Sequence, residues 1–153
     1  MIETGRPAPD FALPDQDGET VRLSELRGRR VVLYFYPRAD TPGCTAQACG
    51  VRDHQDDYDA AGATVLGVSP DPVAAVKRFH DKQGLTFRLL ADEDHAVAEG
   101  YGVWVEKSRY GRKSWGNERT TFVIDEDGVV RDVLRKVKPK EHDGLVLGTL
   151  EQL

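Results

Sequence analysis

The sequence predicts an α/β fold with a central mixed sheet and helices on both of its faces. Three observations carry that expectation. RVVLYFYP (30–37) is a continuous β-branched and aromatic run closed by a proline, the pattern of a strand buried on both faces. TVLGVSP (64–70) is a second such run, and the polar segment between them has helical spacing, with Cys44, Ala48, Val51 and Tyr58 along it. Strand, helix, strand is a βαβ unit, which requires parallel strands and a right-handed crossover. Finally, TTFVI and VVRDVL flank DEDG (125–128), a turn signal, so 120–134 reads as an antiparallel hairpin.

The remaining elements fill in around these. FALP and TVRLSEL, separated by DQDG (15–18), form a small N-terminal hairpin. DPVAAVKRFHDKQG (71–84) carries helix start and stop signals in Asp71, Pro72 and Gly84. FRLLAD (87–92) is a third strand. DEDHAVAEGYG (92–102), acidic at its start and closed by glycine, is a second crossover helix. Residues 103–117, glycine-bearing and mixed in charge, read as a loop insertion, and HDGLVLGTLEQL (142–153) as a C-terminal helix. A βαβ unit followed by a ββα unit is the order of a thioredoxin-like fold.

The 153 residues are expected to form one domain, 1–153, large enough to bury a core unaided. The longest apolar run, VVLYFY, is far too short to span a bilayer, and the N-terminus shows no apolar signal core, so a cytoplasmic protein is expected. A net charge of −5 without a basic block argues against nucleic acid as a partner, and nothing points to a membrane.

Both cysteines lie in TPGCTAQACGVRD (41–53), five positions apart. They are open to four readings: metal ligands, a structural cross-link, core residues, or a pair that opens and closes. Thr41 is a good N-cap and Pro42 suits the first helical position, which puts Cys44 at the third. Its sulfur then lies among unpaired N–H groups at the positive end of the helix dipole, which favours the nucleophilic thiolate. Gly43 removes a side chain where a small substrate would approach. Five residues along a helix separate two Cα atoms by roughly 8.6 Å, beyond the approximately 7 Å limit for a disulfide. Pairing Cys44 with Cys49 therefore requires unwinding. Gly50 is either an unwinding point beside Cys49 or a glycine needed for close packing.

Other chemistries find little support. C-x4-C is not the spacing of a structural zinc site and no second ligand pair follows. His54, His80, His95 and His142 sit on helical, charged stretches and read as solvated surface, as do Asp53, Asp56 and Asp57. DQDG and DEDG lack the later ligands of a calcium loop and are turns. There is no phosphate-binding loop, no G-x-S-x-G and no basic–aromatic patch.

YFYPRADTPGCTAQACGVRD resembles the active-site segment of the peroxiredoxins, most of all the bacterioferritin-comigratory-protein or Q-type subfamily, with its P-x-x-x-T-x-x-C motif and a second cysteine five residues on. FALPDQDG, VLGVSPD, LLADEDHAVAEGYGVWVEK and ERTTFVIDEDG extend the resemblance over almost the whole chain. It implies a thiol peroxidase on a thioredoxin-like fold, acting on hydrogen peroxide or alkyl hydroperoxides without metal, haem or flavin. It places Cys44 as peroxidatic and Cys49 as resolving cysteine, with Pro37 shielding the thiol, Thr41 hydrogen-bonding sulfur and peroxide, and Arg119 as a fixed cation for the thiolate and the cleaving O–O bond. The implied cycle runs through a Cys44 sulfenic acid and an internal disulfide that thioredoxin reduces. A disulfide bridge within one chain removes one reason for a dimer, so a monomer is expected. Two rivals remain: a disulfide oxidoreductase, which would need C-x-x-C, and a redox sensor that hands its oxidation to a partner protein.

Overall fold

In the computed structural model, which describes Met1–Leu153, the chain runs through nine strands and five α-helices. They are β1 (Ala12–Pro14), β2 (Thr20–Arg22), β3 (Arg30–Phe35), α1 (Pro42–Asp53), α2 (Gln55–Ala60), β4 (Ala63–Ser69), α3 (Val73–Gln83), β5 (Arg88–Ala91), α4 (Ala96–Tyr101), β6 (Trp104–Arg109), β7 (Arg112–Asn117), β8 (Thr120–Ile124), β9 (Val130–Leu134) and α5 (His142–Glu151). The main sheet has the order β5-β4-β3-β8-β9. β3, β4 and β5 are parallel, while β8 runs antiparallel to β3 and to β9. This is the expected mixed sheet of a thioredoxin-like fold.

β3 is central because both of its faces are apolar. Val32, Tyr34 and Tyr36 enter one core with Cys44, Ala48 and Val51 of α1, Phe79 of α3 and Val146 of α5. Val31, Leu33 and Phe35 enter the other with Phe11, Tyr101 of α4, Phe122 and Ile124. The strand ends at Phe35, and the chain then passes through Pro37 to the start of α1. Helix α1 is thereby laid against the sheet with its first turn at the C-terminal end of the parallel strands, where open α/β sheets place their sites.

Four expectations need correction. Residues 103–117 are not a loop but a hairpin, β6 and β7, in register from Trp104↔Asn117 to Arg109↔Arg112. Its turn residues Tyr110 and Gly111 both have positive φ, 52° and 75°, as a tight two-residue turn requires. The helical segment between β3 and β4 is broken at His54 (φ −104°, ψ 18°) into α1 and α2. His142 is not on the surface: it is fully buried, its Nε2 2.9 Å from the Thr121 hydroxyl and its ring against Tyr34. Burial holds its imidazole down to about 4. Of the other three histidines only His54 is exposed. α4 also starts later than its acidic segment, at Ala96, because buried Asp92 accepts the Val97 and Ala98 N–H groups at 3.2 and 2.9 Å.

Candidate active site

Thr41 is the residue before α1 and Pro42 the first residue within it, so Cys44 sits at the third helical position. The Thr41 hydroxyl does not cap the helix; it donates to the Arg38 carbonyl at 2.8 Å. Its lone pairs stay available to an incoming O–H group. Cys44 is 2 % exposed and belongs to the same core as Tyr34, Tyr36 and Ala48.

Arg119, immediately before β8, meets that sulfur. Its Nη2 donates to Cys44 Sγ at 3.4 Å, and its Nη1 donates to Gln47 Oε1 at 2.6 Å. Gln47 is fully buried one turn after Cys44 on the same helix. The guanidinium is therefore gripped by the helix that carries the thiol. A Cβ on Gly43 would lie 3.2 Å from Arg119 Nη2 and 3.5 Å from Pro139 Cγ. Gly43 thus makes room for the guanidinium.

Pro37 and Arg119 share an open cleft with Val105, Lys107, Lys136 and Val137. Its charged wall is built from the hairpin. Lys107 donates to the Asn117 carbonyl at 2.5 Å, and Asn117 Nδ2 donates to the Tyr36 carbonyl at 3.2 Å, which ties the base of β7 to the end of β3. Burial, followed by the Arg119 cation, holds the Lys107 ammonium below the ordinary lysine range. Glu118, next to Arg119, takes both arms of Arg135 at 2.9 and 3.1 Å and the Thr120 hydroxyl at 2.6 Å. Those bonds, Arg135 first, hold its carboxyl below the usual range.

Cys49 has a different setting. It is half-buried, and both thiols are free with α1 continuous across them. The Cys49 S–H donates to Gln83 Oε1 of α3 at 3.4 Å. Gly50 is explained by packing: a Cβ there would collide with the Asp143 carboxylate of α5. Asp143 also accepts the Tyr58 hydroxyl at 2.5 Å and lies 3.6 Å from His54 Nδ1, which itself donates to the Gly50 carbonyl at 2.9 Å. Of the five candidate residues, Cys44, Arg119, Thr41 and Pro37 converge at the start of α1, and Cys49 stands apart. Sequence reasoning passed over Gln47, Gln83 and Lys107. Only Gln47 carried a local signal, lying three residues from Cys44 and so on the same helical face.

A buried sulfur at a helix start, held by a guanidinium on a thioredoxin-like sheet, defines a thiol-based redox enzyme. Residues 4–133 match the family described as AhpC/TSA. The chain is 51 % identical to a putative peroxiredoxin bcp of Coxiella burnetii over 97 % of this chain and 99 % of that one. It is 48 % identical to the peroxiredoxin Bcp of Escherichia coli K12 over 99 % and 97 %. The solved structure of the Xanthomonas campestris bacterioferritin comigratory protein superposes with a TM-score of 0.88 at 37 % identity, covering 93 % of this chain and 90 % of that one. The chain belongs to the AhpC/TSA family and is a peroxiredoxin of the Bcp/Q type, a peroxidase.

Proposed function

We propose that this peroxidase reduces hydrogen peroxide and organic hydroperoxides through a Cys44 sulfenic acid, which Cys49 resolves to an internal disulfide. The observation that carries the reading is the Arg119 contact to Cys44 Sγ at 3.4 Å. A fixed cation there stabilises the thiolate and then the charge that develops as the O–O bond breaks. The thiolate attacks the nearer peroxide oxygen; an S–O bond forms, the O–O bond breaks, and the departing oxygen takes a proton and leaves as water or alcohol. Thr41 orients the peroxide through its free lone pairs. Cys49 then displaces hydroxide from the sulfenic sulfur, forming the S–S bond and releasing water.

An external dithiol returns the pair to the reduced state by exchange, and thioredoxin, in a reducing cytosolic setting, fits that role. The Xanthomonas protein is described for alkyl peroxide reduction. The apolar walls of the cleft, Pro37, Val105 and Val137, support the same class of substrate here. A chain that carries both thiols completes the cycle as a monomer. No helix is long and apolar enough to cross a membrane.

The test is intact mass and peroxide turnover. One equivalent of peroxide should leave the protein lighter by two hydrogens, with a linked Cys44–Cys49 peptide. Cys44→Ser should abolish peroxide consumption. Cys49→Ser should still consume one equivalent but should not be recycled by thioredoxin and its reductase. Steady-state activity in Cys44→Ser would reject the assignment, and a single stoichiometric oxidation of wild type without turnover would favour a sensor.

A further inference from the structure

We propose that Gln83, the last residue of α3, is the clasp that holds the Cys49 half of α1 closed and so sets the rate of the resolving step. This rests on Cys49 being the resolving thiol. Two thiols five residues apart on an intact helix are out of bonding range, and α1 is intact from Pro42 to Asp53. The step from sulfenic acid to disulfide, in which Cys49 loses its proton, the S–S bond forms and water departs, therefore waits on local opening. What resists that opening decides the rate.

Beyond the Arg119 bonds at its start, three sets of contacts hold α1. Its apolar face, Cys44, Ala48 and Val51, lies in the core. Its far end is pinned to α5 through Asp143, by way of Tyr58 and His54. The third set is Gln83, which holds two neighbouring points of the helix through two oxygens. Its side-chain Oε1 accepts the Cys49 S–H at 3.4 Å, and its main-chain carbonyl accepts Arg52 Nη1 at 2.6 Å. That carbonyl is one of the four left without an intrahelical partner at a helix C-terminus, and Gly84 in the left-handed conformation ends α3 directly after it.

Of these contacts only the one from Gln83 Oε1 ends on the sulfur that must travel. Cys49 cannot reach the sulfenic acid without breaking it. Gln83 makes no hydrogen bond to Cys44, Thr41 or Arg119, whose own bonds go elsewhere. Its influence is therefore confined to the second chemical step. It is a positioning residue, acting through Cys49, and the longer it keeps the thiol in place the longer the sulfenic acid stays open to a second peroxide.

Rapid-quench intact mass after one equivalent of hydrogen peroxide separates the steps: gain of one oxygen, then loss of two hydrogens relative to the reduced chain. Gln83→Ala should leave the first rate within about twofold and speed disulfide formation about fivefold, the scale of one lost hydrogen bond. It should also lower the sulfinic fraction at high peroxide. Gln83→Glu, which keeps an acceptor for the S–H, should resolve no faster than wild type. Hydrogen exchange of the reduced protein should quicken in residues 42–53 of Gln83→Ala and stay unchanged in α5. Equal resolving rates and equal α1 exchange in wild type and Gln83→Ala would overturn the clasp, as would a Gln83→Glu variant as fast as the alanine. Absence of a Cys44–Cys49 peptide in oxidised wild type would instead overturn the resolving role of Cys49.

Discussion

The two ends of helix α1 are built on opposite plans. At the start, Cys44 is buried, pressed between core aromatics and a guanidinium that is itself bonded to the same helix through Gln47. Near the other end, Cys49 is half-buried and touches a single side-chain acceptor. One sulfur is fixed where charge is set in advance; the other is held by a contact that can let go. Catalysis by a preorganised cation rewards rigidity. Closing a disulfide across a helix demands the reverse. The proposed cycle asks both of one twelve-residue helix, and what surrounds each turn differs accordingly while the helix itself runs on unbroken.

Removing the rigid end should have the largest effect. Arg119→Met deletes the cation and should lower the second-order rate with peroxide by about 10²–10³-fold, measured by competition or stopped flow, with little change in the rate of the later disulfide step. A comparable loss in both steps would mean that the two ends are not independent.

Buried His142, at the start of α5, comes next. The His142 imidazole is held at about 4 against 6.5 in the open chain, by burial first and then by the Arg119 cation. Between those values the unfolded chain binds more protons than the folded one. The contribution is therefore complete above pH 6.5 and is lost as pH falls toward 4, by about 3 kcal/mol in all. Urea unfolding at pH 7 and 5 should show the decline, and His142→Gln should flatten it; an unchanged slope would remove His142 as its source.

Gly50→Ala sharpens the comparison at the flexible end. Alanine gains about 0.5–1 kcal/mol in helix preference, but its Cβ collides with a carboxylate that Tyr58 holds in place, and overpacking costs about 1–3 kcal/mol. The variant should be less stable by about 1 kcal/mol in thermal or chemical unfolding. A more stable protein with slower disulfide formation would restore the idea of an unwinding point.

Gln47→Ala returns to the rigid end, leaving Arg119 in place but unanchored. About a tenfold loss in the peroxide rate, with recovery in Gln47→Glu, would show that orientation and not charge alone is at stake. A rate equal to wild type would count against the anchor.

What could be read from the sequence depended on how local each signal was. The doubly buried β3 announces itself as six consecutive apolar or aromatic residues, 31–36, and Thr41-Pro42-Gly43-Cys44 announces a helix start within four residues. Arg119 lies 75 residues from Cys44, and only the resemblance brought it in. The hairpin at 104–117 was hidden because its strands alternate between one polar residue and another; Tyr110 occupies a turn position that favours asparagine or glycine. His142 looked like any polar residue at a helix start, and its burial is decided by Thr121 across the sheet. Gln83 could not be read at all, since the role proposed for it rests on how α3 lies against α1, 34 residues away.

The missing side chain at position 43 leaves the site a narrow inheritance. With 3.2 Å between the place a methyl would occupy and the guanidinium, even the smallest branch there nudges the positive charge off its sulfur. Substitution therefore meets a wall one residue before Cys44. In a deep mutational library, position 43 should tolerate fewer residues than exposed positions 42 and 46, although it contributes no functional group of its own.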